Sequence, residues 1–376
     1  MSGLTPEQQD VVDAPMVPLC VIACAGSGKT KTAVHRVVRI RRNLGEARGR
    51  VALLSFSNVA VDTFRKAYDD LASSLPSSAG RSRVDIDTLD GFITTNVIRP
   101  HGHRTMMSPR AAFLVTGDEA FLEGFKFPTS SFPQSIKALN LAFLNGKEVF
   151  FYMFNDQVVL VDASIARNLI AKLGRTGAYT HDLGRYWVYR TLKEQPKLLA
   201  ALSRRYPHIV IDEAQDIGSV HQAILELLMG AGSCVTLIGD PNQGIYEFAG
   251  ADGKFLTEYH QRAGVQQHSL KKNFRSAPSI VDLASRLCGR DDVAERTAPA
   301  KPHGTFFTGY KGDQHPQLIS SFQGAMSAAG ADIKRSAVLC RAKKLAGMLR
   351  GDEAPAKASL SCSPPPQYCV TGARIS

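Results

Sequence analysis

Leu19-Cys20-Val21-Ile22-Ala23-Cys24-Ala25-Gly26-Ser27-Gly28-Lys29-Thr30 sets an unbroken apolar run against a glycine loop that ends in Lys-Thr. The run reads as a buried strand, and a helix is expected from about Thr30 to Asn43. Glycines let successive backbone N–H groups turn inward around a phosphate, and the following helix N-terminus adds partial positive charge. Ala25, Gly26, Ser27, Gly28, Lys29 and Thr30 are therefore candidate phosphate ligands. Lys29 would reach the β- and γ-phosphates, and the Thr30 hydroxyl would bind Mg²⁺. The general pattern opens with Gly where this chain has Ala23.

Further along, Ile209-Val210-Ile211-Asp212-Glu213-Ala214-Gln215-Asp216 puts acids at the end of a second apolar run. In a parallel sheet that end faces the ligand crevice. Asp212 is a candidate for the Mg²⁺ shell, and Glu213 for orienting and deprotonating an attacking water. With the glycine loop upstream, the pair points to nucleotide hydrolysis.

Val51–Phe56 and Val235–Ile238 add two more β-rich runs, with a helical pattern through Val59, Phe64, Ala67 and Leu71 after the first. Apolar strands alternating with helices predict a parallel sheet covered on both faces. Between Phe92 and His208 the pattern changes. Helices are expected around Ser135–Leu144 and Ala163–Leu173, flanking a hairpin of Val149–Phe154 and Val158–Val161 that turns at Asn155-Asp156. After Gly264 a strand at Gln266–Leu270, a helix over Pro278–Leu287 and a strand at Ser336–Cys340 read as the opening of a second α/β unit. Gly351–Ser376, with Pro364-Pro365-Pro366 and no periodicity, reads as a disordered or out-of-frame tail.

The chain has 376 residues, 45 Lys+Arg against 34 Asp+Glu, a net charge of +11. Such a surplus favours a polyanionic partner, nucleic acid before membrane. No apolar stretch approaches the roughly 20 residues of a membrane span, and the polar start is unlike a secretory signal. Seven Cys with no C-x-x-C pair read as thiols in a reducing cytoplasm. Arg36, Arg39, Arg41, Arg42, Arg48 and Arg50 are expected to form a solvated helix face rather than a nucleic-acid track.

Taken together, these segments resemble superfamily 1 helicases of the UvrD/Rep/PcrA type. Leu4-Thr5-Pro6-Glu7-Gln8-Gln9 is similar to the N-terminal glutamine motif, in which Gln8 would read adenine. Ala23–Thr30 resembles the family's phosphate loop, and Asp212–Asp216 its D-E-x-Q-D box. Gly239-Asp240-Pro241-Asn242-Gln243-Gly244-Ile245-Tyr246-Glu247-Phe248-Ala249-Gly250-Ala251 follows the motif that couples ATP to DNA. Asn273-Phe274-Arg275-Ser276 matches the first motif of the second motor domain. By this resemblance Gln243 would sense the γ-phosphate and Arg275 would meet it from the second domain. Phe248 would stack on a DNA base, and Tyr246 would pack. Ser57 and Asn58, in Ser55-Phe56-Ser57-Asn58, would hydrogen-bond DNA phosphates. Thr88 and Phe92 align with a T-x-H-S-F contact motif in which Asp90 replaces the His.

The fold so implied is α/β, a RecA-like P-loop NTPase sheet. A first motor domain would span 1–264, with an accessory subdomain inserted at about 93–207, and a partial second RecA-like domain would span 265–350. The implied activity is an ATP- and Mg²⁺-dependent DNA helicase of 3′ to 5′ polarity. Its partner would be DNA, single-stranded or with a single-stranded tail. Repair, replication restart, plasmid functions and phage defence all employ such motors. A T-x-H-x-x-K-G-x-E-type segment and a V-A-x-T-R-A-type segment with a second arginine are not found between Ser276 and Ser376, so the second motor domain reads as truncated. Two alternatives stay open: an ATP-gated DNA-binding or scaffold protein that does not unwind, and another P-loop NTPase such as a kinase or small GTPase. DNA-stimulated ATP turnover separates the first, nucleotide preference the second.

Overall fold

The computed structural model describes residues 3–45, 49–72, 83–155, 157–244, 253–298, 315–339, 347 and 373–374. Two compact units divide the chain: residues 1–276 with 285–296, and residues 277–284 with 297–376.

In the first unit six strands form one parallel sheet. In chain order these are β1 (Leu19–Ala23), β2 (Val51–Ser55), β3 (Val84–Thr88), β7 (His208–Asp212), β8 (Cys234–Gly239) and β9 (Gln266–Leu270). Their spatial order is β9-β1-β8-β7-β2-β3. Alternate residues feed two cores. Cys20, Leu54, Ile209, Ile211 and Leu237 face one side; Leu19, Val21, Leu53 and Val210 face the other. On the second side lie α1 (Pro6–Asp13), α2 (Lys29–Leu44) and α3 (Asn58–Ala72). Val34, Val37 and Phe64 are fully buried there, with apolar positions recurring at helical spacing.

The opposite face carries α4 (Leu89–Ile93), which continues as a π-helical stretch over Thr94–Gly102, and the inserted region. The insert contributes an antiparallel sheet of β4 (Asn140–Leu144), β5 (Lys147–Phe154) and β6 (Gln157–Val161). Three helices follow: α5 (Ala163–Gly174), α6 (His181–Glu194) and α7 (Pro196–Arg205). After β7 and β8 come α8 (Ser219–Gly230) and α9 (Lys254–His260) respectively.

Three expectations are corrected here. Ser135–Leu144 is not a helix. A short 3-10 turn over Ile136–Ala138 gives way to β4, which is paired to β5 through Asn145-Gly146, both at positive φ. Gln266–Leu270 does not open a second unit, because it hydrogen-bonds along β1 as the edge of the first sheet. The arginine cluster is a solvated face only in part, at the exposed Arg42. Arg36 and Arg41 are 1% and 0% exposed. Arg36 donates to the carbonyls of Val12, Ala14 and Pro15, fastening the turn after α1, and Arg41 to those of Gly45 and Gly49. Arg39 pairs with Asp13 and Arg50 with Asp85. Arg48 lies outside the described residues.

The second unit holds a helix at His315–Ala328, and its Ala337–Val338 pairs antiparallel with Ala373–Arg374. A helix over Pro278–Cys288 belongs partly to each unit. No helix among the described residues is long and apolar enough to cross a membrane.

His208, the first residue of β7, is 8% exposed, and burial followed by Arg36 lowers its pKa to about 4. A base whose folded pKa lies below its unfolded value near 6.5 contributes stability above pH 6.5 that is lost as pH falls toward 4. Urea midpoints taken between pH 7.5 and 4.5 are expected to fall by an amount equivalent to about 2–3 kcal/mol from this group. His208→Gln should flatten that part of the curve; an unchanged slope would show that other groups set it.

Candidate nucleotide site

The site lies where β1, β8 and β7 end side by side. At the end of β1 the loop is closed by Cys24 N–H donating to Leu270 O, and by Ser27 Oγ donating to Cys24 O at 2.8 Å. Gly26 and Gly28 stand at φ +69° and +81°, where side chains are strained. Gly26 also has no room for one: a Cβ would sit 2.5 Å from Arg275 Cβ and 2.9 Å from Asn273 Oδ1. Phe274 N–H donates to Gly26 O at 3.0 Å, so Asn273-Phe274-Arg275 runs directly against the loop. Arg275 is exposed there.

Gln8 is 4% exposed. Thr5 and Gln8 form a capping box at the start of α1, and Gln8 Nε2 donates to Ser27 O at 2.9 Å. Its carboxamide therefore braces the phosphate loop in this structure.

Lys29 and Thr30 begin α2. Lys29 Nζ lies 3.6 Å from Glu213 Oε2, and Thr30 Oγ1 donates to Asp212 Oδ2 at 3.4 Å. The two segments singled out in the sequence thus meet, 182 residues apart in the chain. Asp212 is 1% exposed, and its Oδ1 is without a hydrogen-bond partner among the described residues. Burial first, then the Glu213 charge, push the Asp212 carboxyl up to about 7, against the pull of Lys29 and Thr30. The same two causes, in the same order, raise Asp216 to about 7. A cation beside Thr30 and Asp212 would satisfy the unpartnered oxygen and favour the ionised carboxylate, so this donor set fits a hard divalent ion such as Mg²⁺.

Glu213 has φ +54° and ψ +43°, a left-handed conformation that costs a non-glycine residue about 1–2 kcal/mol. Such strain clusters at functional sites. Gln215 ties the acids together: its Nε2 donates to Glu213 Oε2 at 2.8 Å, and its Oε1 accepts from Asp240 N–H at 3.0 Å. Gln243 Nε2 donates to Asp240 Oδ2 at 2.8 Å, so the expected γ-phosphate sensor sits in the 3-10 turn Pro241–Gln243 that follows β8.

Gln215, Asp240, Arg290 and Asp292 received no role from the sequence. Asp240 follows the β8 strand as Asp212 ends β7, a signal that was available. Arg290 had none.

Of the expected DNA contacts, Ser57, Asn58 and Thr88 lie at or just past the adjacent ends of β2 and β3, and Phe92 does not join them. Ser57 and Asn58 are exposed at the start of α3, where Ser57 Oγ accepts from Ala60 N–H. Thr88 caps α4 by accepting from Gly91 N–H. Phe92 is corrected to a core residue: it is 2% exposed, with its ring edge-on to Tyr206 at 4.8 Å. Asp90, in the place of the family's His, binds Arg185 and His221 rather than facing open solvent. Tyr246 and Phe248 lie outside the described residues.

A six-stranded parallel sheet with a phosphate loop after one strand and Asp-Glu after a strand two places away defines a RecA-like P-loop nucleotide-binding domain. More narrowly, the family model described as UvrD/REP helicase N-terminal domain matches residues 4–138 and 162–263, and the chain belongs to that family. The unmatched residues 139–161 hold the β4-β5-β6 sheet.

Similar proteins include the ATP-dependent DNA helicase UvrD2 of Mycobacterium tuberculosis, 25% identical over 308 residues, covering 76% of this chain and 43% of the relative. DNA helicase II of Escherichia coli is 24% identical over 316 residues, covering 76% and 40%. The ATP-dependent DNA helicase PcrA of Leuconostoc citreum is 21% identical over 305 residues, covering 77% and 40%. The chain spans less than half the length of these relatives. Among solved structures, an arterivirus nonstructural protein 10 helicase matches with a TM-score of 0.30 and 12% identity, over 81% of this chain and 47% of that one.

Proposed function

We propose that this chain binds and hydrolyses Mg²⁺-ATP and uses the cycle to move along or unwind DNA in the cytoplasm, with 3′ to 5′ polarity. The meeting of Lys29 and Thr30 with Glu213 and Asp212, with one buried Asp212 oxygen unpartnered, is the observation that supports it most directly.

In this reading the loop amides from Ala25 to Gly28 and the Lys29 ammonium cradle the phosphates. Thr30 and Asp212 hold Mg²⁺, which when bound neutralises charge on the β- and γ-phosphate oxygens. Glu213 accepts a proton from the attacking water, Gln243 senses the γ-phosphate, and Arg275 stabilises transition-state charge from the loop's other side. Gln8 reads adenine with the second N–H and the second lone pair of its carboxamide, while one of each holds Ser27 O and Thr5 N–H. Ser57 and Asn58, exposed at the N-terminus of a 15-residue helix, suit a DNA phosphate. Thr88 lies at the same end of the sheet, its hydroxyl oxygen accepting in the α4 cap while its O–H suits a phosphate. Phe248 stacks on a base.

Mg²⁺-ATP turnover by the purified chain, with and without single-stranded DNA, tests the proposal against a Lys29→Ala control. DNA-stimulated turnover that falls about 10²–10³-fold in the control is expected. Nucleotide binding without turnover would instead favour an ATP-gated DNA-binding protein. Displacement from 3′-tailed but not 5′-tailed duplexes is the expected polarity result.

A further inference from the structure

Beside the phosphate loop, the Arg290 guanidinium lies between two carboxylates that contact no substrate in the reading above. Its Nη1 donates to Asp240 Oδ1 at 2.8 Å, while Nε and Nη2 donate to Asp292 Oδ1 at 3.2 and 3.0 Å. Asp240 is 4% exposed, and the Arg290 side chain is 16% exposed. Burial first, then the Asp292 charge, push the Cys24 thiol of the loop up to about 11, against the pull of Arg290 and Lys29.

Asp240 is the junction of the site. One oxygen accepts from Arg290 and from Asn242 N–H, and the other from Gln243 Nε2. Its own N–H donates to Gln215, which reaches Glu213. Arg290 is itself anchored to the segment that bears Arg275. Val293 N–H donates to Lys271 O and Glu295 N–H to Asn273 O, both at 2.9 Å.

We infer that Arg290 is a positioning residue for nucleotide hydrolysis, fixing the Asp240 carboxylate so that Asp240 holds the Gln243 carboxamide in place. This role rests on the ATP-hydrolysis reading above. A carboxylate anchored through both oxygens has one orientation. Without the guanidinium, Asp240 is left buried beside Asp292, where like charge favours turning the carboxylate away, and that movement releases Gln243. Charge-assisted hydrogen bonds of this kind are among the stronger ones in proteins.

Steady-state ATP turnover by the full chain, with single-stranded DNA, provides the test. Arg290→Gln is expected to lower kcat about tenfold while KM for ATP stays within about twofold. Arg290→Lys keeps one of the contacts and should recover part of the rate, and it decides the matter where Arg290→Gln melts at a lower temperature. In a Gln243→Ala background, Arg290→Gln should lower kcat by less than about twofold, because the residue through which it acts is gone. An equal loss in that background, or a loss confined to KM, overturns the role. An inactive wild-type chain removes the hydrolysis reading and this role together; an active wild type with unchanged Arg290 variants removes this role alone.

Discussion

Glu213→Gln is expected to lower kcat for ATP by about 10²–10⁴-fold, the usual contribution of a positioned general base. Affinity for Mg²⁺-ATP should hold or tighten. The amide keeps the size of the side chain and can still accept from Gln215 Nε2, so the strut to Asp240 survives. What is lost is the proton acceptor and the charge 3.6 Å from Lys29. That charge also raises the carboxyl groups of Asp212 and Asp216, so its removal makes the site less repulsive to a polyphosphate. Rate and affinity are thus expected to move independently, which a folding defect would not produce. Glutamine is preferable to glycine as the probe, because glycine would also relax the left-handed backbone at φ +54°. Single-turnover hydrolysis together with fluorescent-nucleotide binding separates the two effects. A kcat reduced less than about threefold would take the base assignment away from Glu213.

The nucleotide site was legible because its chemistry is local. Gly26-Ser27-Gly28-Lys29-Thr30 and Asp212-Glu213 are short, contiguous, and set at strand ends, where apolar runs stop abruptly. The strands that are buried on both faces were legible for the same reason. β3 was not: Val84-Asp85-Ile86-Asp87-Thr88 alternates acids with apolar residues, as suits the half-buried edge it occupies. In the insert, Asn145-Gly146 was the signal for a hairpin, but the neighbouring Ile136, Leu139 and Phe143 mimicked helical spacing.

Burial of arginine was the hardest feature to read. Composition predicts that a run of charged residues on a helix meets water. Arg36 instead satisfies three carbonyls of the turn after α1, a partnership visible only once α1 and α2 are packed together. Arg290 is the same case at larger stakes, since one of its two carboxylate partners, Asp240, lies 50 residues away in the chain. The placement of Gln266–Leu270 is also non-local: nothing in those five residues says which sheet they join.

Asp90→His, which restores the residue usual in the family's T-x-H-S-F pattern, is expected to destabilise this chain by about 3–5 kcal/mol, a fall in Tm on the order of 10 °C. Asp90 joins α4 to α6 and α8. It accepts from Arg185 Nε and Nη2 at 2.8 and 2.7 Å and from His221 Nε2 at 2.9 Å. His221 is 5% exposed and stands edge-on to Phe56, next to the exposed Ser57. Burial alone would raise the Asp90 pKa, but the hydrogen bonds from Arg185 and His221 hold it well below the usual carboxylate range. An imidazole at position 90 would leave Arg185 with Asp182, at 3.3 Å, and would set two imidazoles against each other. His221→Asp alone should also destabilise, by bringing a second carboxylate against Asp90. Combined, the two changes exchange the partners across the same contact, and a coupling of about 2 kcal/mol is expected to return part of the loss. The sign with pH is fixed by the lowered Asp90 value: its contribution is complete above the unfolded pKa near 3.9 and is lost as pH falls through the folded one. Asp90's own share of the stability gap between wild type and Asp90→His should therefore be complete near neutrality and shrink below about pH 4, while the new imidazole beside the Arg185 guanidinium adds a loss as pH falls through about 6.5. Purely additive single changes in thermal melts would mean that Asp90 and His221 do not act as a pair. The departure from the family pattern would then need another cause than an exchange of acid and imidazole between α4 and α8.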